Sequence, residues 1–302
     1  MDSKVMSLSE AVSRFVHDGM SVVMGTALEA LIPFAAGFEI IRQGKRDLNL
    51  VGPISDILFD ILVGAGVARK ISAAWLGNVI AGSGYNIRRA AEQGVPVEVE
   101  MEDHSNFTIA LALKAGAMAV PFLPTRTALG SDLVGSHLVP MSCPLTGQKL
   151  MAVRALEPDL AIIHMQRADD QGNGHLWGHS GITQDALLAS SVTLVTCEEL
   201  VSADVIRSDP NRCLVGGFKV KAVVPLAGAC LPSSAQGVWN RDHSFYLEYH
   251  QQSKSLTGFQ DWLKRWVLDT DHQGFLKLLG SERLERLKVK SPALAASVDY
   301  GY

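Results

Sequence analysis

Asp159-Leu160-Ala161-Ile162-Ile163-His164-Met165-Gln166 runs into Ala168-Asp169-Asp170-Gln171-Gly172-Asn173, and Val192-Thr193-Leu194-Val195-Thr196-Cys197 runs into Glu198-Glu199-Leu200. Both are short apolar runs that stop abruptly at polar groups. An unbroken apolar run suits a strand buried on both faces, as in a parallel sheet. In open parallel sheets the ligand crevice lies beyond the carboxyl ends of the strands. The polar ends of both runs therefore point to the functional edge of the molecule.

Upstream, the same rhythm repeats. Ser7 with Glu10 three residues later forms a capping-box pattern, followed by a helical stripe of Ala11, Val12, Phe15 and Val16. Ser21–Thr26 reads as the first strand. Pro33 opens a helix that ends at Gly44, the usual cap asymmetry. Leu48–Val51 is a second strand, Ser55–Val63 a helix, Ile71–Leu76 a third strand. Val95–Met101 reads as a fourth strand near an edge, because Pro96 lacks a donor. Phe107–Met118 is an alanine-rich helix. Thr125–Gly147 breaks the rhythm and reads as one long loop, functional or disordered. Ala222–Leu226 resumes the strands, and Phe245–Leu279 reads as helices. Alternating strands and helices predict an α/β fold: an open, mostly parallel sheet with helices on both faces and a helical C-terminal part. Without a repeat or low-complexity linker, residues 1–302 are expected to form one domain.

Composition narrows the function. The chain has 302 residues, 47% hydrophobic and 19% charged, with net charge −4, so it can bury a large core. There is no basic stripe with interleaved aromatics, which argues against nucleic acid. Cys143, Cys197, Cys213 and Cys230 form no CxxC pair, which speaks against zinc and disulfides and fits a reducing cytoplasm. Met1–Met6 carries Asp2 and Lys4, so no secretory signal is expected. Ser21–Ile41, the most apolar window, carries Glu29, Glu39 and Pro33, unlike a spanning helix.

Several words, in the same order along nearly the whole chain, carry a resemblance. They are Lys4-Val5-Met6-Ser7-Leu8, Phe38-Glu39-Ile40-Ile41-Arg42-Gln43-Gly44, Met101-Glu102-Asp103 and Val120-Pro121-Phe122-Leu123-Pro124. With them come the two opening runs, Trp266-Val267-Leu268-Asp269 and Leu287-Lys288-Val289. The chain resembles the alpha subunit of family I coenzyme A transferases, the glutaconate type most of all. That resemblance implies transfer of CoA between an acyl-CoA and a small carboxylic acid, with CoA as substrate and no cofactor or metal. It also implies a beta subunit in a heterotetramer or larger assembly. In two-subunit members the glutamate nucleophile lies in the beta chain, in a Ser-Glu-Asn-Gly word that this chain lacks. No catalytic residue is therefore assigned here. A CoA-ester hydrolase or decarboxylase on the same scaffold is the rival reading. A dinucleotide-binding or effector-sensing module should carry a Gly-x-Gly-x-x-Gly word after the first strand; Gly25-Thr26-Ala27-Leu28 does not supply it.

The candidate substrate-binding residues are Gly25, Thr26, Asn78, Ser83, Arg88 and Asn106. Gly25 and Thr26 form the turn after the first strand, where backbone N–H groups can approach a ligand. Members of the family often place a Gly-Gly-Phe turn and a basic pair here; this chain keeps Gly25 and Pro33 and offers Glu29 where the cations would be. That departure from a dicarboxylate-specific relative points to a less acidic or bulkier acyl group than glutaconate, unless Arg88 or the beta chain supplies a cation. Asn78 and Ser83 lie on the loop that lines the acyl pocket in the glutaconate enzyme. Arg88 and Arg89 otherwise read as a solvated helix face. Asn106 starts a helix where an acid would suit a hydrolytic relative, though Asp103 or Ser105 as a helix cap is the plainer reading. Glu198 and Glu199 read as a structural anchor at a strand end or subunit interface. His164, His175 and His179 lack a shared helical face for a metal, and Asp170-Gln171-Gly172-Asn173 reads as a tight turn.

Overall fold

The computed structural model describes residues 3–290. The chain runs α1 (Leu8–Phe15), β1 (Ser21–Val23), α2 (Phe34–Arg42), β2 (Leu48–Ile54), α3 (Asp56–Gly64), β3 (Ala68–Trp75), α4 (Tyr85–Gln93), β4 (Glu100–Asp103) and α5 (Asn106–Ala117). Then come β5 (Phe122–Thr125), β6 (Leu138–Ser142), β7 (Lys149–Arg154), β8 (Leu160–Ala168), β9 (Gly174–His175), α6 (Thr183–Ala189), β10 (Val192–Leu200), α7 (Ala203–Arg207), β11 (Cys213–Val215) and β12 (Val220–Pro225). Four α-helices follow, α8 (His243–Ser253), α9 (Leu256–Leu263), α10 (His272–Leu279) and α11 (Ser281–Leu287), with a π-helical turn, Lys264–Leu268, extending α9.

Among these residues the main sheet has nine strands. Its parallel run is ordered β12-β10-β8-β1-β2-β3-β4. The short β9 and β11 add antiparallel at the far end of β8. The first four strands march outward from β1 in one direction; β8, β10 and β12 march outward in the other. The reversal lies between β1 and its partner β8, where Val22 registers with Leu160 and Val23 with Ala161. That is the topological switch point of an open α/β sheet, where the outgoing connections part and leave a crevice.

Alternation along the strands shows why both faces are covered. Val22, Leu50, Ile162, Leu194 and Ala222 belong to one buried cluster with α2, α3 and the C-terminal helices. Their neighbours Val23, Val51, Ile163, Val195 and Val223 belong to the cluster on the opposite face with α5 and α6. With a period of two, such strands must be apolar at every position. The C-terminal helices close the first face through an aromatic cluster in which Phe245 and Phe275 pack edge-on at 5.8 Å, and Phe245 and Trp266 at 5.1 Å.

The departures from sequence expectation have local causes. The first strand stops at Val23 rather than Thr26, because Gly25 at φ +67° turns the chain. The fourth strand covers Glu100–Asp103 instead of Val95–Met101, and it does lie at the sheet edge. Thr125–Gly147 is not one long loop: Leu138–Ser142 forms β6 within it, in a small antiparallel sheet ordered β5-β7-β6. Pro124 and Pro140 sit in the two outer strands of that sheet, where a missing donor faces outward. These prolines disguised the pattern. Ser105 caps α5 in a full capping box with Thr108, and Ser7 caps α1 by accepting from the Glu10 N–H.

Candidate functional site

The switch-point crevice is a cleft of about 350 Å³ lined by Ala27, Leu28, Glu29, Ala30, Ile54, His179, Ser234, Gln236 and Arg241. Three segments build it. The first is the turn after β1. A Cβ at Gly25 would meet Ser55 Oγ at 2.5 Å and Ser55 Cα at 2.9 Å, so only glycine fits. Leu28 (φ 60°) and Leu31 (φ 53°) hold left-handed conformations. Branched aliphatic residues adopt that region at a cost of about 1–2 kcal/mol each, so surrounding contacts must hold the turn. They do: Leu31 N–H donates to Ser234 O at 2.8 Å, and Ile32 N–H to Ser233 Oγ at 3.1 Å. The second segment carries His179 and the third Gln236. Gln166, at the polar end of β8, ties both down by donating to Trp177 O and Gln236 O.

Arg241 brings the cleft a positive charge. Its Nη2 donates to the Glu29 carbonyl at 2.8 Å and to Glu29 Oε2 at 2.9 Å. The guanidinium lies over the Tyr246 ring, 5.8 Å from its centroid, and Nε is buried without a hydrogen-bond partner. Beneath it sits Asp56, the first residue of α3. Asp56 Oδ1 accepts from the N–H groups of Ile57 and Val79. Oδ2 and the Tyr246 hydroxyl make no well-directed hydrogen bond, although they are close enough to influence each other's protonation. Burial pushes the Asp56 carboxyl up to about 6, against the opposing pull of the Val79 N–H, the Tyr246 hydroxyl and the Arg241 charge.

The sequence-named residues fall into separate places. Gly25 and Thr26 begin the turn whose next four residues line the cleft, but do not line it themselves: Thr26 is buried with its hydroxyl 2.9 Å from that of Thr183. Asn78 is buried and fully engaged: Nδ2 donates to Tyr246 O, and Oδ1 accepts from Ile80 and Ala81. It staples its own loop to α8, behind the cleft. Ser83 is exposed on that loop. Arg88 is exposed and paired with Glu92 at 2.8 Å, in a separate groove with Tyr85 and Lys254. Asn106 is exposed at the start of α5. Of the named residues that could carry charge or hydrogen bonding to a ligand, only those of the β1 turn meet at the switch point. Arg241 was missed because it lies 212 residues from its partner Glu29, and no local pattern links the two.

Glu198 forms a closed node. Its carboxylate accepts from His164 Nε2 (2.9 Å), Gly228 N–H (2.9 and 3.0 Å) and Trp239 Nε1 (2.9 Å). Burial acts to raise its pKa, but His164, Trp239 and Gly228 outweigh it and the net shift is downward. Cys230 Sγ lies 3.8 Å away, so His164, Glu198 and Cys230 gather donor atoms within 4.8 Å of one another. The carboxylate is already occupied by N–H donors, and both His164 nitrogens are engaged, Nδ1 with Thr196 Oγ1. This is a hydrogen-bond node that ties β8, β10 and the loop after β12 together. Glu199 points outward to Arg167 in an exposed pair.

Residues 5–225 match the family described as Coenzyme A transferase. This chain belongs to the coenzyme A transferase family. It is 39% identical to the A subunit of the 3-oxoadipate CoA-transferase of Pseudomonas knackmussii over 89% of this chain and 95% of that one. It is 32% identical to the A subunit of the glutaconate CoA-transferase of Acidaminococcus fermentans over 98% of each. The crystal structure of the Acidaminococcus enzyme superposes with a TM-score of 0.91, covering 98% of this chain and 99% of that one. The chain is a CoA transferase of the alpha type. No helix among the described residues is long and apolar enough to cross a membrane.

Proposed function

We propose that this chain is the alpha half of a heteromeric enzyme that moves CoA from an acyl-CoA to a small carboxylic acid. The carboxylate nucleophile would come from a beta chain seated over the switch-point cleft. Near full-length similarity to the A subunits of two CoA transferases supports the reaction class. One observation supports the division of labour: Glu29 is the only carboxylate lining the cleft among the described residues, and Arg241 holds it. Of the two adjacent acids singled out from the sequence, Glu198 is saturated by donors in the interior and Glu199 pairs with Arg167 at the surface.

The chemistry needs an attacking carboxylate and fixed donors for the developing oxyanion. The partner's carboxylate adds to the thioester carbonyl and CoA leaves as the thiolate, giving an acyl anhydride. The thiolate then attacks the glutamyl carbonyl, which releases the first acid and leaves a glutamyl-CoA thioester. The acceptor carboxylate repeats the sequence in reverse and departs as its CoA ester. This chain contributes the wall of the pocket: the rigid β1 turn and the groups on the loops after β9 and β12. CoA serves as substrate, and the reaction calls for no metal or redox cofactor. The heteromer and a cytoplasmic setting belong to the same proposal.

The test is reconstitution. This chain is assayed alone and together with the beta chain encoded by the neighbouring gene, with an acyl-CoA donor and a carboxylate acceptor. Transfer by the complex and none by the isolated chain is expected. Transfer by the chain alone at the rate of the complex would refute the division of labour.

A further inference from the structure

The cleft holds a cation that is fixed and an anion that is free to leave, and this asymmetry has a use. The Arg241 side chain is 15% exposed, whereas that of Glu29 is 49% exposed. Arg241 is anchored by the Glu29 backbone carbonyl and the Tyr246 ring, neither of which depends on the Glu29 carboxylate. An exposed ion pair contributes at most about 1 kcal/mol, so the Glu29 side chain can swing into water at little cost. Arg241 would then present a bare guanidinium edge to the cleft. Its Nη2, released from the Glu29 carboxylate, is a donor that a ligand oxygen could take up, and guanidinium groups pair with carboxylates in two-point fashion.

We infer that Arg241 is the specificity-determining residue of this enzyme: it reads the second, unreacting carboxylate of a dicarboxylic substrate, and Glu29 occupies that place while the cleft is empty. The inference rests on the CoA-transferase reading above and adds the substrate class. It also changes the expectation drawn from the β1 loop, whose lack of a basic pair pointed to a less acidic acyl group. The cation comes from outside the loop, on Arg241, and not from Arg88, which pairs with Glu92 in a separate groove.

A neutral acyl chain leaves the Arg241–Glu29 pair in place and gains nothing from it. A dicarboxylic mono-CoA ester, or a dicarboxylic acceptor, replaces Glu29 with its own carboxylate. The second carboxylate is held away from the reacting end, so discrimination depends on chain length as well as charge.

The experiment uses the complex of this chain with its beta chain. The ratio of kcat/KM for a dicarboxylic mono-CoA ester to that for a neutral acyl-CoA of equal length is measured, then the same ratio for dicarboxylic against monocarboxylic acceptors. Arg241→Gln is expected to lower both ratios by about a hundredfold, equivalent to roughly 2.7 kcal/mol. Arg241→Lys should restore part of the loss. Glu29→Gln is expected to lower KM for the dicarboxylic substrate, since a competing charge is removed. Unchanged ratios in Arg241→Gln, or a Glu29→Gln variant with raised KM, would overturn the inference. A separate arm measures glutarate binding to the complex by calorimetry, with the mass and melting temperature of each variant checked alongside. Wild-type binding weakened at least tenfold in Arg241→Gln supports the inference even if no ester is turned over. Absent binding, or equal affinity in both proteins, refutes it. Failure of the wild-type complex to transfer CoA from any ester refutes the CoA-transferase reading instead.

Discussion

His164 Nε2 and Glu198 Oε1 lie 2.9 Å apart across two neighbouring parallel strands, β8 and β10. With Gly228 and Trp239 the acid is surrounded by donors, so removing its charge leaves buried N–H groups facing an amide. Glu198→Gln is expected to destabilise the fold by about 2–4 kcal/mol at neutral pH. Since the Glu198 pKa is lowered by folding, its contribution is present above the unfolded carboxyl pKa and fades as pH falls through the folded one. Denaturant melts of wild type and variant should therefore converge in acid. Glu199→Gln, which breaks only the exposed pair with Arg167, should change stability by less than about 1 kcal/mol. Equal losses from both substitutions would contradict the assignment.

Asp56 behaves in the opposite sense. Its carboxyl is raised from 3.8 to about 6 by burial, so the folded state holds the proton more tightly than the unfolded chain. Stability from this group is greatest below pH 4, declines between about pH 4 and pH 6, and above that the acid is a burden of up to about 3 kcal/mol. Asn keeps an acceptor for Ile57 and Val79 and tolerates the left-handed φ of 51° found there. Asp56→Asn is expected to raise the melting temperature at pH 8 and to have little effect at pH 4. A variant destabilised at pH 8 would show that the charge is held by the fold after all.

Gly25 carries the cleft's shape. An added methyl group would overlap Ser55 and the left-handed φ would become strained. Gly25→Ala should lower stability by at least ~2 kcal/mol and raise KM for both acyl-CoA and acceptor in the reconstituted complex. Gly44→Ala is the control: it has a similar φ, but no atom lies within 4 Å of the added carbon, so strain alone would act. Equal effects on KM from the two would remove the β1 turn from the site.

Much of the fold was legible because it is written locally. Leu160–Ile163 and Val192–Val195 are apolar at nearly every position, as a strand with both faces covered requires, and the helices announce themselves through Ser7, Ser105 and Pro33. The small β5-β7-β6 sheet was hidden by Pro124 and Pro140, which are tolerated in outer strands yet read as breakers. The cleft was half legible. Gly25 marked the turn after β1, since a sharp exit from a buried strand needs a glycine. Arg241, Gln236 and His179 were not, because tertiary packing alone brings them to the β1 turn. Asn78 and Arg88 are polar residues near a strand end, but the first is used to tie its loop to α8 and the second pairs with Glu92 in solvent.

The most direct test of the central claim locates the covalent intermediate. The reconstituted complex is incubated with an acyl-CoA donor without acceptor, reduced with borohydride, and mapped by peptide mass spectrometry. A reduced glutamyl residue is expected in the beta chain and none in this one. A modified Glu29, Glu198 or any other carboxylate of this chain would contradict it.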